Sequence, residues 1–511
     1  MVSPRPNVLL VMADQLAAEH LPAYGNAVVQ APRLTALARE GVVFENAYCA
    51  SPLCAPSRFA LLSGRRPSSI GAYDNAAELP AGTPTIAHVL RAAGYGTTLA
   101  GKMHFVGPDQ LHGFEERLTT DVYPSGFDWT PDWTLPEGER LEWYHNTTSL
   151  LSASVSEAAL QTDYDDEVCF RAVQKIRDLS LRTDGRPFFL TVSFTNPHDP
   201  WEMRRRYWEL YDERAIDLPA VGVLPRAEAD PHSLRLRDMI GLDDRPLSEQ
   251  EIRRARHGYY AAVSYLDERV GEVLDALGAT GLDRDTLVLF TADHGELLGE
   301  RGLWYKMSFL EGSARVPLIV RGPGLTPRRI AGPVSQLDLA PTLAELTGTT
   351  AAEAKFEGSS LAGALTGAAA GPAEALGEYL AEGVRAPAVM IRRGAHKYVR
   401  CPGDPDLLYD LSSDPHELRN LASDPGYDGL VAGFRAESDE RWDLGELERK
   451  VLESQRARHL VARALATGAY APWDFQPYFD ASLLYVRSEA ARGDRPGRSR
   501  PLGGLPPPEG L

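Results

Sequence analysis

The sequence predicts an α/β fold, a large mixed but mostly parallel sheet sandwiched by helices, followed by a smaller C-terminal α+β subdomain. Two observations carry this. Short apolar runs alternate with longer amphipathic stretches through most of the chain, the order expected of parallel strands joined by crossover helices. Near "GAAAGPAEALGE" (367–378) the composition changes to a small-residue linker, and the residues beyond it read as a hairpin and then helices. A chain of 511 residues has room for one large α/β domain and a smaller partner.

Taken in order, "NVLLVMAD" (7–14) reads as a buried strand and "APRLTALAREG" (31–41) as a helix closed by Gly41. "TIAHVLRAAGY" followed by "GTTLAGK" repeats helix then strand around 85–102. "RPFFLTVSF" (186–194) is a strand. "YYAAVSYLDERVGEVLDALGATG" (259–281) has helical apolar spacing and leads into the strand "DTLVLFTADHG" (285–295). Beyond the linker, "APAVMIRRGAHKYVRC" (386–401) reads as a β-hairpin and 425–468 as helix-rich. The acidic clusters "TDYDDE" (162–167) and "ESDERWDLGELE" (437–448) read as solvated helix faces. These readings divide the chain into 1–366, 376–487 and a Pro-, Gly- and Arg-rich tail, 488–511, expected to be disordered.

Composition narrows the function classes. A formal charge of −18 argues against nucleic acid or an anionic membrane as partner, since both need a basic face. No window approaches the ~18 apolar residues of a membrane span, and "MVSPRPNVLLVMADQ" does not resemble an export signal. The four cysteines, Cys49, Cys54, Cys169 and Cys401, are too sparse and irregular for a disulfide framework. The expectation is a cytoplasmic protein with reduced thiols.

In an open α/β sheet, ligands bind beyond the carboxyl ends of strands. Asp14 ends the first strand, with Gln15 next; Asp293 ends another, with His294 next. Cys54, in a turn between two prolines with Arg58 four places on, has the basic neighbour typical of reactive cysteines. Together, Asp14, Cys54, Asp293 and His294 have the donors to hold one divalent cation, Ca²⁺ or Mg²⁺ by their oxygens, with Mn²⁺ admitted by the imidazole. The bland alternative is that each acid only caps a helix. Lys102, His104, His198 and Lys306 fall at or after other strand ends, where they would grip a tetrahedral oxyanion and move protons.

These residues carry a resemblance. "CAPSRFALLSGR" is similar to the Cys-x-Pro-Ser-Arg signature of the sulfatase family, whose fold is alkaline-phosphatase-like and whose cysteine is oxidised to formylglycine. "MADQ", "GKMHF", "NPHDP", "TADHGE" and "WYKMSFLEGSARVPLIV" follow in the family's order, over most of residues 5–325. The resemblance implies a sulfuric ester hydrolase matured at Cys54 by a formylglycine-generating or equivalent enzyme. It implies one hydroxyl of the aldehyde hydrate attacking sulfur while the other expels sulfate. It implies Asp14, Asp293, His294 and modified Cys54 as metal ligands, calcium before Mn²⁺ or Mg²⁺, with Gln15 a fifth. Arg58 would steady the hydrate, Lys102 and Lys306 bind sulfate oxygens, His104 act as base and His198 as acid. Many sulfatases have paired acids where this chain has Asp14-Gln15, and Asn where it has His294.

"GKMHFVGPDQLHGFEERLTTDVYPSGFDWTPDW", "EWYHNTTSL", "YDDEVCF" and "PWDFQPYFDAS" resemble the choline-sulfatase branch of the family. That implies choline-O-sulfate as the small-molecule substrate and a homo-oligomer, dimer or tetramer, with Asp474 or Asp480 near a neighbouring site. A quaternary ammonium is held by aromatic faces and a carboxylate. Trp129, Trp143, Tyr144 and His145 are the candidate cage, with Asn146 beside it and Glu382 or Glu378 as counter-charge. A phosphonate monoester or phosphodiester hydrolase of the same superfamily, and a non-catalytic oxyanion binder with an unmodified thiol, are the alternatives.

Overall fold

The computed structural model describes residues 5–135, 145–349, 352–469 and 471–477. The strands are β1 (Asn7–Ala13), β2 (Val42–Tyr48), β3 (Gly96–Gly101), β4 (Glu116–Arg117), β5 (Ser154–Val155), β6 (Phe188–Ser193), β7 (Glu202–Met203), β8 (Thr286–Ala292), β9 (Arg315–Arg321) and β10 (Arg328–Ser335). Eight of them form one sheet in the order β10-β2-β9-β8-β1-β6-β3-β4, and β5 and β7 form a small parallel pair. Every pairing in the large sheet is parallel except those of β9 with β2 and β8. The mixed, mostly parallel sheet is therefore as expected. β3, β6 and β8 are buried along their whole length, which is why their sequences read as continuous apolar runs covered on both faces.

Helices pack in two groups. The long helix Glu249–Ala279 begins with a capping box of Ser248 and Glu251 and packs against Leu160–Ser180 and Pro32–Glu40. Cys54–Ser63, Ile86–Ala92 and Leu339–Leu346 form the second group. A smaller antiparallel sheet, β11 (Glu374–Tyr379), β12 (Ala388–Arg393), β13 (His396–Arg400) and β14 (Leu407–Asp410), comes next, then helices Asp428–Arg441 and Leu444–Leu465. Its Tyr379, Ala388 and Met390 join the same apolar core as β1 and β8.

Three local expectations change. The stretch read as linker gives β11 from Glu374 onward. Gly41 closes its helix with extended backbone, φ −118°; what demands glycine is that a Cβ there would lie 2.8 Å from the Val320 carbonyl oxygen. The acidic cluster 162–167 is only in part a solvated face: Asp163 and Glu167 are exposed, but Asp165 is fully buried and Asp166 pairs with Arg204 and Arg269. The tail after 477 lies outside the described residues.

Candidate active site

Strand register assembles the site. Ala13 of β1 pairs with Ala292 of β8, so Asp14 and Asp293 leave the sheet side by side, and the Asp293 amide donates to the Ala13 carbonyl at 3.2 Å. On the other flank Gly101 pairs with Ser193, and the Lys102 amide donates to the Ser193 carbonyl at 3.0 Å. A Cβ on Gly101, whose φ is +101°, would sit 1.9 Å from that carbonyl oxygen. Only glycine lets the chain turn there to aim Lys102 along the carboxyl edge. Cys54 arrives from the opposite side as the first residue of a helix, rather than within a turn, and every residue of that helix is buried.

Ligand atoms of Asp14, Cys54, Asp293 and His294 lie within 4.8 Å of one another, and all four residues are buried. The Cys54 sulfur is 3.1 Å from His294 Nε2 and 3.8 Å from Asp14 Oδ1. His294 Nδ1 sits 3.0 Å from the Gly295 carbonyl, which can only accept, so Nε2 is left to face the cluster with its lone pair. Neither acid is a helix cap: Asp293 Oδ1 accepts the Gln15 and His294 amides, and Asp14 pairs with Lys102 and Arg58. Two carboxylates and an imidazole, with Cys54 beside them, suit a hard or borderline divalent ion. The residues fit such an ion.

Cations surround the cluster. Arg58, fully buried, reaches four partners: Asp293 Oδ2 at 2.8 Å, Asp14 Oδ2 at 3.4 Å, the Lys102 carbonyl at 2.7 Å and Ser193 Oγ at 2.8 Å. Lys306 Nζ is 3.4 Å from the Cys54 sulfur, 2.7 Å from Gln15 Oε1 and 2.9 Å from His198 Nε2. Burial would push the Cys54 thiol up, yet the Lys102 and Lys306 ammoniums hold it well below the usual thiol range. Burial lowers His104, with Cys54 opposing it, and neither of its buried ring nitrogens has a hydrogen-bond partner among the described residues. Burial likewise opposes ionisation of Asp14, but Lys102, His198 and Arg58 outweigh it and hold the carboxyl far below its ordinary range.

The expected substrate residues divide. Trp129 stands edge-on to Tyr123 and His104, with centroids 5.2 and 5.9 Å apart, and His145 stacks on Tyr305 at 4.5 Å and lies 6.3 Å from His198. Asn146 caps a short helix by accepting the Thr148 amide, and its carbonyl accepts the Tyr305 hydroxyl at 2.5 Å. Glu382 lies in the loop after β11, its carbonyl accepting the Tyr379 hydroxyl. Glu378 does not act as a counter-charge there: its carboxylate takes the Ser68 amide and hydroxyl and the Trp442 indole N–H. Asp474 accepts the Ser125 amide and hydroxyl within its own chain. Trp143, Tyr144 and Asp480 lie outside the described residues.

Several residues that the sequence reading passed over complete the site. The Tyr123 ring lies 4.1 Å from Lys102 Nζ, and its hydroxyl is 3.3 Å from His198 Nε2. Asp121 accepts the Met103 and His104 amides, holding His104 at φ +60°. Glu296 takes Gln15 Nε2 at 2.6 Å and the Leu298 and Tyr305 amides; burial, reinforced by Asp199, pushes its carboxyl up to about 7. Gln15, Tyr305 and Met307 also adopt left-handed backbone, which collects at functional sites. Tyr123 and Glu296 stand inside the blocks that carried the resemblance, the one signal that pointed to them.

Residues 6–349 match the sulfatase family model. The chain belongs to the sulfatase family. This sulfatase also matches the choline sulfatase enzyme C-terminal model over residues 449–500 and the N-sulphoglucosamine sulphohydrolase C-terminal model over 299–441. It is 48% identical over 497 residues to the choline-sulfatase of Rhizobium meliloti, covering 96% of this chain and 97% of that one. It is 32% identical over 352 residues to mouse (Mus musculus) iduronate 2-sulfatase, covering 63% and 60%. Among solved structures it superposes on a 2-O GAG sulfatase, BT1596, with TM-score 0.68 and 26% identity, over 86% of this chain and 92% of that one. The phosphonate monoester hydrolase of Agrobacterium radiobacter matches with TM-score 0.68 and 25% identity, over 89% and 96%. The protein is a sulfuric ester hydrolase. No helix among the described residues is long and apolar enough to cross a membrane.

Proposed function

We propose that this enzyme hydrolyses choline-O-sulfate to choline and sulfate, with residue 54 working as formylglycine beside one divalent ion held by Asp14, Asp293, His294 and residue 54. The observation that carries the reading is the buried convergence of those four residues, ringed by Arg58, Lys102 and Lys306. The likeness to a choline-sulfatase along nearly the whole chain supports the choice of ester. A divalent ion held by Asp14, Asp293, His294 and residue 54, calcium before manganese or magnesium, would supply Lewis-acid stabilisation of charge on the sulfate oxygens. Formylglycine at residue 54 would supply, as its hydrate, the nucleophilic hydroxyl and a second hydroxyl able to release sulfate on losing its proton.

The remaining steps belong to the chain's own side chains. Arg58 fixes both carboxylates in direction through its four-partner fork. Lys102 and Lys306 neutralise the ester's oxygens where water is excluded. As the S–O bond breaks, the electron pair goes to the ester oxygen, which takes a proton from the His198–Lys306 pair. His104, against residue 54, takes the hydroxyl proton that completes the cycle. Trp129 and His145, with Asn146 and Glu382, are the residues that would receive the quaternary ammonium, at ~0.5–2 kcal/mol per aromatic contact. Residues 1–366 form the catalytic domain and 376–487 a subdomain with a substrate or oligomer role, in a homo-oligomer.

Intact mass tests the nucleophile: conversion of Cys54 to the aldehyde lowers the chain by about 18 Da, and Cys54→Ala should end turnover with the fold retained. A full-speed enzyme with an ordinary thiol would sink the mechanism, and an ordinary thiol with no turnover on any ester would favour the oxyanion-binder alternative. The likeness to a phosphonate monoester hydrolase defines the rival reaction. Rates on choline-O-sulfate, an aryl sulfate and a phenyl phosphonate ester separate them, and a choline-sulfate rate no better than the aryl rate would end the choline assignment.

A further inference from the structure

Helix Leu160–Ser180 presents Gln161 and Asp165 one turn apart on the same face, toward the turn Thr195–Asp199 that carries His198. Asp165, fully buried, accepts the Thr195 amide at 2.7 Å, the Asn196 amide at 2.8 Å and the Asn196 side-chain amide at 2.8 Å. Gln161 Nε2 donates to the Asp199 carbonyl at 2.6 Å. That carbonyl oxygen is also 2.6 Å from His198 Nδ1, and since a carbonyl can only accept, Nδ1 carries the proton. His198 Nε2 is thereby the nitrogen that faces Lys306 Nζ, 2.9 Å away, and Tyr123 OH, 3.3 Å away. The turn is closed within itself by the His198 amide donating to the Thr195 carbonyl at 3.0 Å.

The geometry points to Gln161 and Asp165 as a two-point clamp that positions His198 for leaving-group protonation, one fixing the start of the turn and the other the carbonyl that sets the histidine's tautomer. Neither residue reaches Cys54 or the metal ligands, so they are positioning residues, acting only through His198. This rests on the reading of His198 as the acid. A displacement of about 1 Å at a proton-transfer group costs as much as ~10²-fold in rate, and the loss falls on one step alone. An alkoxide needs that proton to leave, whereas a nitrophenolate leaves without it.

The test uses the matured, metal-loaded enzyme and two esters, choline-O-sulfate and 4-nitrophenyl sulfate. Asp165→Asn turns an N–H₂ toward amide donors, and Gln161→Leu removes the bond to Asp199 while touching a half-buried position, so the second variant decides if the first fails to fold. For each, kcat on the alkyl ester should drop about tenfold to a hundredfold, with KM steady, while kcat on the aryl ester stays within about twofold of wild type. An equal loss on both esters would mean a merely structural role and overturns the clamp, as would no loss on either. His198→Ala serves as reference. If it shows the same alkyl-over-aryl split and the clamp variants do not, the clamp is refuted and the acid assignment stands. If His198→Ala shows no split, the acid assignment fails and the clamp with it.

Discussion

Arg58→Met removes the guanidinium that bridges both carboxylates while keeping nearly its length. The guanidinium is fully buried and touches Asp293, Asp14, a main-chain carbonyl and a serine hydroxyl. Removing one partner of a buried ion pair costs about 3–5 kcal/mol, because a charge is left desolvated and uncompensated. Lys102 still covers Asp14, so Asp293 is the group exposed to the loss, partly relieved by the two amides on its Oδ1. The expected loss is therefore about 4 kcal/mol in metal-free protein, a large part of the ~5–15 kcal/mol that holds most domains folded. Urea unfolding followed by tryptophan fluorescence, in chelator, measures it. Repeating the titration with calcium gives a second readout: the ion takes over part of arginine's counter-charge, so calcium should recover more stability in the variant than in wild type. A variant within about 1 kcal/mol of wild type in chelator, or one no more responsive to calcium, would refute the view that Arg58 holds these carboxylates.

Gly101→Ala sets a Cβ against the Ser193 carbonyl at a left-handed position. Backbone strain of ~1–3 kcal/mol adds to overpacking of ~1–3 kcal/mol, so a lower thermal midpoint and loss of turnover through misdirected Lys102 are expected; an unchanged midpoint contradicts the close approach. Asp267, buried, accepts the Arg33 and Leu34 amides at the start of helix Pro32–Glu40, and burial pushes its carboxyl up to about 6. A raised carboxyl favours the folded state fully below the unfolded-chain value near 3.9, and that advantage disappears as pH rises through about 6. Compared with Asp267→Asn, wild type should therefore gain on the order of 3 kcal/mol between pH 7.5 and pH 4; a gap independent of pH in urea unfolding would contradict this.

What could be read in the sequence were groups whose position is fixed locally. Asp14, Asp293 and Lys102 each come directly after a strand whose apolar run marks its end, and parallel register does the rest. What could not be read depended on contacts across long separations. Tyr123 reaches His198 from 75 residues away, in a loop without periodicity. Asp165 belongs to a cluster of acids that composition assigns to solvent; only the packing of its helix turns that carboxylate inward, onto the turn 30 residues on. Glu378 failed as a substrate group for a related reason. An acidic residue on a strand reads as available charge, but β11 places it under Trp442, where it is consumed by three donors. Cys54 lay between these cases: its flanking prolines suggested a turn, whereas Leu53 is already the N-cap and the helix starts at the cysteine itself.

Lys397, on β13 of the smaller sheet, is wholly buried and donates to the Phe309 carbonyl at 2.6 Å and to Glu311 at 2.8 Å, and it also pairs with Glu417. Phe309 and Glu311 come three and five residues after Lys306, on the same excursion from the main sheet. Cutting the chain ahead of Glu374 would leave that carbonyl without its ammonium donor and Glu311 with only Arg315 and Tyr48 as partners, and let the excursion sag. A minimal enzyme trimmed to its larger half would then lose its anion grip before it lost its strands.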